Sequence, residues 1–389
     1  MAVTRLLAYL SCFFFLTLSI TVNATVLPED RLDIMYHKYD GGGITIDGPS
    51  VLVRKSIGDQ VSISANYYVD NIVSASIDAV TQASPYTENR VQTSIGADYL
   101  HEKSILSYSY TDSTENDYEA ITQSFGISQE MFGGLTTISL GYSFGDNIVT
   151  QTGAPDFMEP ATFKNYRASV AQVLTKNLIM SFNYDIITDE GFLNNPYRRV
   201  RHLSPSAPLG YIFKPTVDEN DRGEKYPETR TTNAASLGFR YYLPYRAALF
   251  GSYRFFSDSW SIRADTFEIG YVHPLEEKWT FEVSYRYYTQ DQASFYSDLF
   301  PDFDVVRPEF YARDKELSTF TDDSINIGVT YELDNIPLFE RGTANFFYSY
   351  MSFDYENFRD VRVTSSTPGT EPLYSFSAGI TRIFFSFWF

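Results

Sequence analysis

The chain has 389 residues, with 49 acidic against 30 basic side chains and a net charge of −19, and it contains one cysteine. An acidic chain without a long basic run is a poor nucleic-acid binder, and one cysteine builds neither a disulfide framework nor a thiolate metal site. The 31 Tyr and 32 Phe are high for a soluble enzyme and natural for a membrane barrel with aromatic girdles.

Arg5, the mostly apolar run from Leu6 to Ile20, and Val22-Asn23-Ala24 have the three parts of a secretory signal peptide, so residues 1–24 are expected to be removed. Cys12 leaves with them, since Tyr9-Leu10-Ser11 fits a lipid-attachment site poorly. Loss of Arg5 leaves 29 basic against 49 acidic residues, −20, on the mature chain 25–389. Beyond the signal no apolar run approaches the roughly 18 residues of a spanning helix.

From there to the end, short stretches alternate apolar and polar residues. Val61-Ile63-Ala65-Tyr67-Val69, Ile138-Leu140-Tyr142-Phe144, Trp279-Phe281-Val283-Tyr285-Tyr287 and Ile325-Ile327-Val329-Tyr331-Leu333 each form one apolar face. Period two with one apolar face is the strand signal. In chain order the pattern predicts strands near 31–39, 50–57, 61–70, 90–100, 103–111, 119–130, 135–145, 164–174, 177–187, 231–243, 246–257, 260–273, 278–288, 323–333, 343–355 and 375–389. That is about sixteen antiparallel strands, all-β, closing as a transmembrane barrel; fourteen or eighteen remain open.

Charge supports the assignment of faces. His37 and Arg54 near the start, then Arg240, Glu268, Glu282, Arg286, Glu332 and Arg382, fall on the polar faces of their strands. A basic side chain facing mid-membrane costs about 2–4 kcal/mol, so these eight are expected to line the lumen. A soluble sandwich would show similar segregation, so the pattern gains force only from the signal peptide, the aromatic content and the chain's last strand. That strand carries Ile383, Phe385, Phe387 and Phe389 on one face. A terminal Phe389 with this alternation resembles the signal read by the machinery that assembles barrels in Gram-negative outer membranes.

The connections are alternately short and long. Long ones near 146–163, 188–230, 289–322 and 356–374 are expected outside the cell, with the short set in the periplasm. Outer-membrane lipid and lipopolysaccharide are the expected surroundings. A barrel of sixteen strands is wide enough for an aqueous lumen unless something fills it.

Candidate chemistry is sparse. Asp40-Gly41-Gly42-Gly43-Ile44-Thr45-Ile46-Asp47-Gly48-Pro49 lacks the Lys-Ser/Thr ending of a phosphate loop. It is expected to be a tight, backbone-packed turn joining the first two strands, with Gly41, Gly42, Gly43, Asp47 and Gly48 as its elements. His37 shares a strand face with Arg31 and Asp33, and Arg54 and Lys55 follow, as mutually paired lumen groups or as a ligand or proton site. Four His and no G-x-S-x-G give catalysis no motif, so no enzyme, cofactor or metal is expected. Asp218-Glu219-Asn220-Asp221 begins like a calcium loop, but Arg222 and Thr229 occupy ligand positions. That run, with Asp298, Asp302 and Asp304, reads as solvated loop.

Tyr36-His37-Lys38-Tyr39-Asp40-Gly41-Gly42-Gly43 through Asp47-Gly48-Pro49-Ser50-Val51-Leu52-Val53-Arg54-Lys55 resembles a proteobacterial family defined only as a domain of unknown function. Ala65-Asn66-Tyr67-Tyr68-Val69-Asp70, Ala83-Ser84-Pro85-Tyr86-Thr87-Glu88, Asn194-Asn195-Pro196-Tyr197-Arg198 and Tyr226-Pro227-Glu228-Thr229-Arg230 look like blocks of the same family. The resemblance spans nearly the whole mature chain. It implies an outer-membrane barrel without assigned catalytic residues and a redox-linked protein partner in the periplasm. The expected work is porin-like passage of small polar solutes or ions. The other reading is a structural or docking barrel for a periplasmic or surface protein.

Overall fold

The computed structural model describes residues 26–389 apart from 78–80, 82–85 and 214–222. The predicted signal peptide at 1–24, the block Ala83-Ser84-Pro85 and the acidic run 218–222 lie outside the described residues. The strands are β1 (Arg31–Gly41), β2 (Ile44–Ile57), β3 (Val61–Ser74), β4 (Tyr86–His101), β5 (Ser104–Thr114), β6 (Tyr118–Met131), β7 (Thr136–Thr150), β8 (Met158–Thr175) and β9 (Leu178–Gly191). There follow β10 (Arg201–Leu203), β11 (Tyr211–Phe213), β12 (Thr229–Tyr242), β13 (Ala248–Asp258), β14 (Arg263–Leu275), β15 (Trp279–Gln290), β16 (Phe320–Leu333), β17 (Arg341–Arg359) and β18 (Leu373–Trp388). Sixteen of them form one closed antiparallel barrel in sequence order, while β10 and β11 make a separate ribbon in the connection from β9 to β12. The seam joins β1 to β18, with Arg31 opposite Trp388 and His37 opposite Arg382. Every predicted strand is present.

The alternation decides which way the sheet curls. Ile95, Leu140, Ile269, Val283, Ile325 and Ile327 all stand exposed on the outer surface, and their inward neighbours are polar or small. A soluble barrel would bury that apolar face; here it forms a belt facing outward, a surface suited to hydrocarbon. Tyrosines rim the belt on one side, with hydroxyls turned to polar groups: Tyr184 donates to Asn233 at 2.9 Å and Tyr350 to Ser377 at 2.9 Å. Trp279 and Tyr331, 4.6 Å between ring centroids, mark the other rim.

The ends of the barrel differ. One, the turn end, carries short connections and both chain-terminal strand ends. The other, the long-loop end, carries the connections 75–85, 115–117, 151–157, 192–228, 259–262, 291–319 and 360–372. Most of these loops are shorter than expected because the strands run past the belt: β7 continues to Thr150, β8 begins at Met158, β4 at Tyr86. Beyond the belt both faces are polar, so the alternation fades while the backbone ladder continues. The outward row Asp47, Asn71 and Asn89 shows this, with Asn71 donating to Asp47 at 3.2 Å and Asn89 to Asn71 at 2.9 Å. In the other direction, Trp260 and Ile262 leave the strand predicted over 260–273. The Asp258 carboxylate accepts from their backbone N–H groups at 3.0 and 2.8 Å and turns both side chains inward.

The glycine block is also divided differently. Gly42 and Gly43, with φ of 60° and 79°, are the whole β1–β2 turn, since two successive residues with positive φ make the tight hairpin whose twist matches its strands. Asp47 and Gly48, expected in that turn, lie within β2 instead.

Candidate functional site

Sixteen strands about 4.8 Å apart, tilted about 40°, enclose a backbone cylinder roughly 32 Å across. What fills it depends on the inward side chains, and these fall into two sectors. On β3 to β7 a single cross-strand row reads Ser64, Gly96, Ser109, Ser124 and Ser143. The row beside it reads Asn66, Ser94, Thr111, Thr122 and Gly145 on the same strands. Ser94 and Thr111 share a hydrogen bond of 2.9 Å. The Ser and Thr side chains of these rows are short and offer hydroxyls to water, while Asn66 is buried and the Phe163 ring covers Gly145.

The opposite sector, β13 to β18, is aromatic and charged. Phe256, Tyr288, Phe320, Phe353 and Phe376 point inward near the long-loop end, with Phe353 and Phe376 stacked at 4.6 Å. Phe347 and Phe384 stack lower on the same wall at 5.8 Å.

The eight charged residues singled out from sequence all occupy inward-facing positions, but they do not converge on one site. Arg286 pairs with Asp322 at 3.1 Å and lies opposite Glu268 in the ladder. Glu268 accepts from Ser284 at 3.3 Å. Arg240 sits over the Phe250 ring at 5.8 Å and Arg382 over Phe347 at 5.7 Å. Glu282 faces inward opposite Gly328, and Glu332 opposite Thr343. Arg54 lies across from Arg31, which pairs with Asp33 at 2.8 Å. Lys55, one residue on, faces outward and pairs with Asp30 at 2.6 Å, so the expected grouping with His37 is not formed. That bond holds the Asp30 carboxyl below its ordinary value. Phe389 follows β18, its ring 6.1 Å from Phe339.

His37 belongs to a different cluster. Its Nε2 lies 2.7 Å from Asp70 Oδ1 and 3.0 Å from the Tyr68 hydroxyl, and its ring stacks on Tyr68 at 4.8 Å. Asp70 in turn pairs with Arg90 at 2.9 Å. His37 is on β1 and Asp70 on β3, so the bond must pass over β2. Gly48 is what lets it: it sits opposite His37 in the ladder and presents no side chain. A Cβ there would come within 1.8 Å of the Val69 carbonyl oxygen. Asp70 and Arg90 were not singled out from sequence, although their strand parity already placed them on the inner face.

The long-loop end is roofed by a lid. Trp260, Ile262, Phe295, Tyr296, Leu317 and Tyr226 from three connections pack on the inward aromatics of β13 to β18. Buried ion pairs bind the loops together. Arg201, fully buried on β10, donates to both Glu371 oxygens and to Asp298 at 3.4 Å. Arg313 pairs with Asp298 at 2.8 Å, and its backbone N–H donates to Glu224 at 2.7 Å. Tyr226 donates to Glu224 at 2.8 Å. Complete burial, with that carboxylate beside it, pushes the Tyr226 hydroxyl well above its ordinary value. Glu371 is raised by burial, but hydrogen bonds from Arg201 outweigh this and hold it below the ordinary value. Asp298, expected to be a solvated loop residue, is instead a strut of the lid, and so is Glu224.

Residues 79–349 match the model of the family described as protein of unknown function (DUF3570). The match takes in the blocks at 194–198 and 226–230 and begins beyond the glycine block at 36–55. No curated protein matches the sequence. Among solved structures, the chain is similar to a bacterial polysaccharide outer membrane secretin at 9% identity and a TM-score of 0.48, over 94% of this chain and 100% of that one. It is similar to the outer membrane protein opdK from Pseudomonas aeruginosa at 8% identity and 0.44, over 92% and 98%. A Pseudomonas aeruginosa FadL homologue matches at 10% identity and 0.41, over 92% and 90%.

Proposed function

The chain belongs to the DUF3570 family, and on that premise we propose that it passes small polar solutes or ions through the outer membrane of a Gram-negative cell. The observation that carries this reading is the pair of Ser, Thr, Asn and Gly rows on β3 to β7. In a cylinder roughly 32 Å across, short hydroxyl side chains on five of the sixteen strands leave an off-centre, water-compatible path. The aromatic half supports the lid, so passage is gated at the long-loop end, which faces outward. Charges on β12 to β18, Arg240, Glu282, Arg286 and Arg382 among them, set the field along that path. Lipopolysaccharide and the barrel assembly machinery are the partners that this location brings, with Phe389 as the assembly signal.

Planar-bilayer recording of the purified protein tests it. Stepwise conductance that rises when the lid is loosened is the expected result. A silent bilayer with both wild type and lid-loosened protein overturns it and leaves the docking barrel, with a periplasmic or surface protein as its partner.

A further inference from the structure

At the long-loop end of the inner wall three carboxylates converge. Glu88 comes from the start of β4, and Glu115 and Asp117 from the connection between β5 and β6; one oxygen of each lies within 4.8 Å of the others. Glu115 and Asp117 are each 7% exposed. Glu88 Oε1, Glu115 Oε2 and Asp117 Oδ1 are buried oxygens with no hydrogen-bond donor among the described residues. On β7, Asn147, also 7% exposed, has its side-chain oxygen without a donor. It stands opposite Ala120, two residues along β6 from Tyr118.

Buried carboxylate oxygens are normally satisfied, because leaving one unpaired costs the full desolvation of the group. Several at one place mark a missing positive partner. Arg90, the neighbouring guanidinium, already pairs with Asp70 at 2.9 Å. The backbone around the carboxylates is fixed: Glu115 N–H donates to Tyr118 and Thr150 N–H to Asp117, both at 2.8 Å.

We propose that Glu88, Glu115 and Asp117 hold a divalent cation of the calcium class. The donors are all hard oxygens, which select calcium, magnesium or manganese over softer metals. Three carboxylates supply up to six oxygens, within the coordination number calcium takes. The bound ion ties the 115–117 connection to the start of β4, and so to the Asp70–Arg90 pair behind it.

Terbium is the probe, since Tyr118 next to Asp117 can sensitise its emission. In the purified barrel, a saturable terbium signal displaced by Ca²⁺ is expected, weakened at least tenfold in Glu115→Gln. The compact band on an unheated gel confirms that the variant is folded. A second readout separates a metal site from a structural contact. In EDTA, Glu115→Gln should melt above wild type, because one repelling charge is gone, and it should lose the rise in Tm that Ca²⁺ gives wild type. Terbium emission that Ca²⁺ does not displace, equal affinity in the variant, or a variant that melts lower in EDTA each overturns the proposal.

Discussion

Replacing Arg201 by Ala isolates what the buried ion pairs do for the lid. Its guanidinium is fully buried, bridges Glu371 and Asp298, and lies 3.7 Å from the centroid of the Tyr211 ring. Removing it leaves Glu371, 2% exposed, without its counter-charge. Deleting one partner of a buried pair costs about 3–5 kcal/mol. Asp298 keeps Arg313 at 2.8 Å, so the lower end applies. About 3 kcal/mol shifts the equilibrium between closed and open lid by about two decades.

Hydrogen exchange reads this directly. The Leu203 amide donates to Phe300 and the Phe300 amide to Arg201, both at 2.9 Å. In Arg201→Ala both should exchange about a hundredfold faster, while the amides of β5 and β6 keep their protection. The double change Arg201→Met with Glu371→Leu should regain most of the loss, since replacing a buried pair by apolar groups is often neutral or better. Unchanged exchange in Arg201→Ala, or a double variant as open as the single one, refutes the argument that charge pairing closes the lid.

Other changes test other links in the chain of reasoning. Ile327→Arg puts a cation on the outer belt and should cost about 2–4 kcal/mol, read as a lower urea midpoint in lipid, whereas Thr122→Arg on the inner wall should be tolerated. Equal midpoints would contradict the assignment of faces. Gly48→Ala forces β2 and β3 apart at a 1.8 Å contact and should lower the yield of compact barrel on unheated gels; a normal yield would show that the approach is not required. Acid should open the lid. Hydrogen bonds from Arg201 hold Glu371 below its ordinary value despite burial, and one from Arg362 does the same for Asp360. A depressed carboxylate adds stability that is complete above its ordinary value and is lost as pH falls through the folded one. The lid should therefore hold from pH 5 upward and loosen below about pH 4, read as a rise in bilayer conductance on acidification alone. Flat conductance across that range would remove these carboxylates from the closure.

The strands were legible because the lipid-facing surface imposes one rule on every one of them. Ile325, Ile327 and Val329 can be read without knowing their neighbours. The inward positions of Glu268, Arg286 and Arg382 followed from the same parity. Partners did not, because parity says which side a residue faces and not what lies across the lumen. His37 reaches Asp70 over a strand whose glycine, in sequence, reads as part of a turn. Asp298 looked like one more loop acid, since nothing local distinguishes a solvated carboxylate from one enclosed by Arg201 and Arg313. Of the carboxylates at 88, 115 and 117, one stands at the start of β4 and two in the β5–β6 connection, where polar residues on both faces erase the alternation.

The Arg201–Glu371 bridge joins residues 170 positions apart in sequence, one on β10 and the other just before β18. A chain lacking its final hairpin therefore leaves Arg201 with Asp298 alone and without the carboxylate that takes both of its terminal nitrogens. The two-oxygen grip on that guanidinium therefore needs the connection that leads into β18. The strand that closes the cylinder against β1 is also the one whose leading connection locks the mouth.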